Sequence, residues 1–231
     1  MMREIHIRLA SSVVLAVGLA VMGYFIGNGL HSLKPNTRNV SVRGLSEREV
    51  SADTAQLVIL FSNTGRSPEK IFPALAATQK KVVAFLNSNG IKDGDITIGQ
   101  WKTTRTSADD LKNDPSLPLF DLSGDITVTT HDVSAVEQAH AKLNDMRAAT
   151  NGAVHRGVKS YSFNGLAPIR AEMIAAATKD ARNAALQFAE DSGSRVGSIS
   201  TASQGIFQVL GDDADIHKTV RVVTSVNYEL K

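Results

Sequence analysis

Twenty-two residues without a charge, Leu9 to Leu30, constrain this 231-residue chain more than anything after them. They read LASSVVLAVGLAVMGYFIGNGL, with Arg3 and Arg8 before and His31 and Lys34 behind. As a helix rising about 1.5 Å per residue they span roughly 33 Å, enough for a hydrocarbon core about 30 Å thick. A helix closes its own backbone hydrogen bonds, which lipid cannot do for it. A cleaved signal peptide carries an apolar region of about 7–15 residues and then a small-x-small site. This run is longer, and Gly27-Asn28-Gly29-Leu30-His31 matches such a site poorly. The expectation is a signal-anchor: a cytoplasmic tail at 1–8, a single transmembrane helix at 9–30, a polar linker at 31–39 and a periplasmic domain at 40–231. The alternative is a soluble periplasmic domain left after cleavage. The flanking charges do not decide orientation, because Lys34, Arg38 and Arg43 answer Arg3 and Arg8 across the run. The short N-terminal tail and the large C-terminal part favour N-inside, C-outside. Gly23 and Gly27 form a GxxxG pattern, but glycine is common in membrane helices and the pattern alone requires no dimer.

Charge excludes one class of partner. The chain holds 25 basic and 23 acidic residues, a net +2. Arg3, Arg8, Lys34 and Arg38 against Glu4 fall in the first 39 residues, which leaves 21 basic and 22 acidic residues beyond them. The basic pI therefore belongs to the anchor region, and the rest is no polyanion binder by charge. Trp101 followed by Lys102 and Arg105 is too thin a patch for nucleic acid; Trp101 is expected as a core or interface anchor. The absence of cysteine rules out disulfides, thiolate metal sites and a Cys nucleophile.

Beyond the linker the pattern predicts an α+β fold, with antiparallel or mixed sheets and three helices packed on them. Strands are expected at Asn39–Val50, Asp53–Asn63, Asp95–Thr106, Phe120–Thr130, Val154–Asn164, Ser194–Val209 and Thr219–Leu230. Along Asp53–Asn63 both faces carry apolar groups, as Leu57, Ile59 and Phe61 alternate with Val58 and Leu60. That predicts a central strand covered on both sides, or one at a subunit contact. The first helix starts with Ser67 as N-cap and Pro68 at N1 and ends through Asn89-Gly90, with Pro73 expected to kink or delay its start. The second is capped by Asp132 or Ser134, the latter in a Ser134-x-x-Glu137 capping box, and carries a stripe of Val136, Ala139, Leu143 and Met146. The third, from Ala167-Pro168 to about Asp191, offers an alanine-rich face through Ala171, Ile174, Ala177 or Thr178, Ala181, Ala184 or Ala185, and Phe188.

Short motifs in this order resemble the SIMPL domain family, a domain of unknown function. They are Val42-Arg43-Gly44; Ala52-Asp53-Thr54-Ala55, where alanine replaces the usual proline; Gly90-Ile91-Lys92-Asp93-Gly94-Asp95-Ile96-Thr97; and the late alanine helix followed by Gly193, Gly197 and Ile199. The resemblance spans about residues 39–231. It implies a periplasmic or envelope α+β domain that forms homo-oligomers, ring-like ones included, with loose links to stress tolerance and to immunogenic surface proteins. The family has no agreed catalytic residue, so none is carried over.

The residues themselves name no reaction, and we assign no catalytic, cofactor-binding or metal residue and no cofactor. His31, His131, His140, His155 and His217 are scattered, and none pairs at the i, i+4 spacing of a zinc helix. Asp212-Asp213-Ala214-Asp215 lacks the glycine and distal glutamate of a calcium loop and reads as a solvated turn. There is no G-x-S-x-G elbow and no phosphate loop. The leading expectation is a membrane-anchored, non-catalytic homo-oligomer that meets a further envelope protein and no nucleic acid. An envelope hydrolase would instead need a pocket joining His131 or His155 to a carboxylate, and a peptide-binding module would need a free sheet edge.

Overall fold

The computed structural model describes residues 17–26 and 38–231. The expected tail at 1–8 lies outside the described residues, as do most of the anchor at 9–30 and nearly all of the linker at 31–39. Residues 17–26 are helical. Among the described residues no helix is long and apolar enough to cross a membrane.

The chain from Arg38 onward builds two antiparallel sheets, each covered by helix on one face and neither closed into a barrel. The first sheet contains β1 (Arg38–Ser51), β7 (Val196–Gln204), β8 (Gln208–Leu210) and β9 (His217–Leu230), with β9 central. The second contains β2 (Thr54–Gly65), β3 (Ile96–Ile98), β4 (Lys102–Arg105), β5 (Phe120–Thr130) and β6 (Val154–Ser162). Its order is β3-β5-β2-β6, with β4 also on β5. Every pairing is antiparallel, so the expected α+β class holds and the mixed option drops out.

On the second sheet lie α1 (Pro68–Ser88), α3 (Val133–Ala141) and α4 (Leu143–Ala149). They cover the face that carries Leu57, Ile59 and Phe61, all fully buried. Burial of each such side chain contributes about 2 kcal/mol. On the first sheet lies α5 (Ala167–Asp191), across β1 and β9. Its buried line is Met173, Ala177, Ala181, Ala185 and Ala189.

Several expectations need correction. Beyond residue 38 there are five helices, not three. The polar stretch after Arg105 contains α2 (Ala108–Asn113), where the Ser107 hydroxyl accepts from the Asp110 amide at 3.1 Å. The second expected helix divides at Lys142, whose ψ of 8° ends α3 so that α4 can turn onto β6. The expected strand over Asp95–Thr106 is two short strands, because the chain leaves the sheet between Ile98 and Lys102 and turns the Trp101 indole to Gln79 Oε1 at 2.8 Å. Helix α1 is not delayed by Pro73 but runs through it from Pro68, forgoing one backbone bond. Glu137 closes no capping box; it faces Lys159 and Tyr161, and Asp132 alone caps α3. The predicted stop at Asn89-Gly90 is present, with Gly90 at φ +88°.

Candidate functional site

The two sheets meet at the turn Ala52-Asp53, and the polar groups of the molecule converge there. The Ala52 amide donates to Ile216 O at 2.8 Å and the Asp53 amide to Ser162 O at 3.1 Å. The Asp53 carboxylate accepts from the Asn164 amide at 3.0 Å, the Gly165 amide at 2.6 Å and the Thr54 hydroxyl at 2.8 Å. The Asn164 side chain donates to Thr54 Oγ1 at 3.1 Å. His131 completes the cluster, its Nδ1 lying 2.8 Å from Asp53 O. One short turn thus ties down the end of β5, the β6–α5 loop and the loop before β9. Burial pushes the Asp53 carboxyl up, but the Asn164 amide, the Thr54 hydroxyl, the Gly165 amide and the nearby His131 together hold it below its ordinary value.

His131 also lines a cleft of about 520 Å³ with Gly90, Lys92, Asp95, Thr130 and Asp132. A ring nitrogen facing a carbonyl oxygen must carry a proton, so Nδ1 donates to Asp53 O. That assignment decides what the site can do. Thr54 Oγ1 lies 3.4 Å from Nδ1, yet a nitrogen already acting as donor cannot take the hydroxyl proton. The Asp132 carboxylate accepts through Oδ1 from the Ser134 hydroxyl at 2.6 Å and the Ala135 amide at 3.0 Å, which hold it below its ordinary value. The cleft therefore offers an imidazole, an ammonium and carboxylates, a set suited to holding a ligand.

Of the sequence candidates, the fold brings together His131 and Asp132 and adds Asp53. It leaves His155 on exposed β6 and His140 half-buried on α3. In the acidic turn, Asp212 and Asp215 accept from backbone amides of their own loop, those of Ala214 and His217, each at 2.9 Å. Trp101 is half-buried against the core beside Phe72. Lys92, Thr54 and Asn164 escaped the sequence reading. Asp53-Thr54 and Lys92 lie inside two of the motifs quoted above, which was the available signal.

A protein-family model described as SIMPL, protein of unknown function (DUF541), matches residues 40–223. The chain belongs to the SIMPL family. In this SIMPL domain the Asp of the Ala52-Asp53-Thr54-Ala55 motif is the acceptor that joins the sheets. No curated protein matches the chain. Among solved structures, a hydantoinase/carbamoylase family amidase from Burkholderia ambifaria is 15% identical, with a TM-score of 0.29, over 55% of the SIMPL chain and 34% of its own. The chain thus spans about a third of that amidase. A hydrolase from Listeria innocua is 12% identical over 80% of this chain and 92% of its own, with a TM-score of 0.26. An uncharacterized conserved protein from Listeria innocua is 11% identical over 78% and 92%, with a TM-score of 0.23. Scores this low assign neither fold nor activity to the SIMPL protein.

Proposed function

We propose that this SIMPL protein is a non-catalytic assembly module of the cell envelope. Residues 9–30 anchor it in the inner membrane, residues 1–8 face the cytoplasm, and the linker at 31–39 carries domain 40–231 in the periplasm. There it associates with copies of itself and through them with a further envelope protein. The observation that carries the assembly reading is the uncovered face of the second sheet. Val58 and Leu60 are only half-buried there and Val158 is 42% exposed, while the helices lie on the opposite face. Across the strands the rows read Thr127-Val58-Val158 and Asp125-Leu60-Arg156. A two-fold axis lying between two such faces, parallel to the strands, sets Leu60 on Leu60 and Asp125 over Arg156 in both directions. The surface is self-complementary in charge as well as in apolarity.

The test is the mass of the full chain in non-ionic detergent by light scattering. The wild type is expected to be a dimer or a multiple of one. Leu60→Asp, and Arg156→Asp alone, shift it to monomer, and Asp125→Arg combined with Arg156→Asp restores association. A wild type that stays monomeric at high concentration removes the assembly reading. Protease added to intact cells and to spheroplasts tests the orientation: only in spheroplasts should residues 40–231 be cut.

The cleft at His131 favours a second reading, a ligand-binding or hydrolytic envelope module. Under the first reading His131→Ala leaves both association and any background hydrolysis unchanged. Ester or amide turnover by the wild type that His131→Ala removes would overturn the non-catalytic assignment.

A further inference from the structure

Lys218 is the second residue of β9, and its side chain points to the face that carries Val220 and Val222. It is only 4% exposed. Its ammonium donates to the backbone carbonyl of Asp212, and it forms no ion pair among the described residues. An ammonium has three protons to place, and burial without a counter-charge is costly. The neighbouring carboxylates form no ion pair with it: those of Asp212 and Asp215 accept instead from the amides of Ala214 and His217.

The same lysine lines a recess of about 210 Å³, separate from the His131 cleft, where the end of β6 meets the loop after β8. Tyr161, Phe163 and Val209 contribute its apolar wall. Tyr161 is held in place by its amide, which donates to Asp213 O at 2.7 Å. Gly211 lets the loop fold over the lysine stem. Its φ is +134°, and a Cβ there would lie 3.2 Å from Lys218 Cδ. Asp213 lines the recess too and is exposed to solvent.

We propose that this recess binds a small monocarboxylate through Lys218. The carboxylate of the ligand takes the free ammonium protons, and its apolar body lies against Phe163, Tyr161 and Val209. One buried cation balances one negative charge. Asp213 and the acidic loop disfavour ligands with two charges, so phosphate and dicarboxylates are rejected. The volume equals that of about seven waters at roughly 30 Å³ each, room for a branched or aromatic acid but not for a nucleotide.

The experiment is calorimetric titration of the full chain in non-ionic detergent with isovalerate, benzoate, isovaleramide and inorganic phosphate. Isovalerate or benzoate is expected to bind at one site and to raise the melting temperature. The neutral amide and phosphate bind at least about tenfold more weakly, because only the monocarboxylate forms a charge-assisted bond without meeting Asp213. Lys218→Met abolishes carboxylate binding. Should that variant fail to fold, Asp213→Asn gives the answer instead, since it tightens isovalerate and narrows the gap to phosphate. No saturable binding of either acid, equal binding of the amide, or binding unchanged in both variants overturns the proposal.

Discussion

Replacing Gly44 with alanine is expected to destabilise the protein by about 3 kcal/mol, toward the upper end of what overpacking costs. In a chain of this size that lowers the melting temperature by roughly 6–12 °C. The reason is the closeness of α5 to β1. A Cβ on Gly44 would sit 1.9 Å from Ala177 O, 2.3 Å from Ala181 N and 2.8 Å from Ala181 Cβ. Two of those atoms are helix backbone, so no rotamer change relieves the clash and the whole helix must move. It cannot withdraw freely. Ala177, Ala181 and Ala185 are fully buried against the sheet, and Asp180 accepts the Leu45 amide at 2.9 Å on the edge of β1. Any retreat opens a gap along the alanine line and leaves that edge amide without its partner. Gly94→Ala serves as the control, because nothing lies within 4 Å of a Cβ there. Thermal melts followed by circular dichroism compare the two. A Gly44→Ala protein that melts with the wild type would show that α5 does not press on β1 as described.

The contact at Gly44 also shows where local pattern stops informing. The bounds of α5 were legible, since Pro168 opens it and Gly193 follows its end. The middle of its buried face was legible too, since Ala177, Ala181 and Ala185 are buried as expected; its ends were not, because apolarity pointed to Phe188, which is 54% exposed, whereas Met173 and Ala189 are buried instead. What selects that face is size. Opposite it the strand offers a glycine, so the helix comes close and only small side chains fit, a fact that belongs to β1 and cannot be read from α5. The alternation of Leu57, Ile59 and Phe61 did identify a core face, because a strand's own period carries that information. Its second apolar face, Val58 and Leu60, was equally visible; the structure adds that the helices leave it uncovered. Glu137 matched a capping box by spacing, but a lysine 22 residues away and a tyrosine 24 residues away claim it. The candidate site was the least legible part. Asp53 and its amide partner Asn164 lie 111 positions apart, so only the closed fold brings them together. Lys218 left a fainter signal, a charge at an inward position two residues before Val220.

Asp53→Asn is expected to lower stability at neutral pH by about 2 kcal/mol, the scale of losing hydrogen bonds to a charged acceptor. The amide is nearly the same size but carries no charge, and its nitrogen cannot accept from the Asn164 or Gly165 amides. The pH dependence separates this role from simple packing. The Asp53 carboxyl titrates below its ordinary value in the folded protein, and in the unfolded chain it titrates at about 3.9. A group shifted in that direction stabilises the fold above the unfolded value, and the contribution is lost as pH falls through the folded one. The wild type should therefore keep its full advantage over Asp53→Asn from pH 7 to about 5 and lose it progressively below about pH 4, first as the unfolded chain takes up the proton and fully once the folded carboxyl does too. Asp114, Asp132 and Glu137 are also held below their ordinary values, but they are present in both proteins and cancel in the difference. Urea unfolding at pH 7, 5 and 3 measures it. A gap that stays constant down to pH 3 would mean that shape, not charge, makes Asp53 the joint between the sheets. The same substitution leaves Asp53 O in place for His131 Nδ1, so the His131 cleft should persist while the joint beneath it weakens.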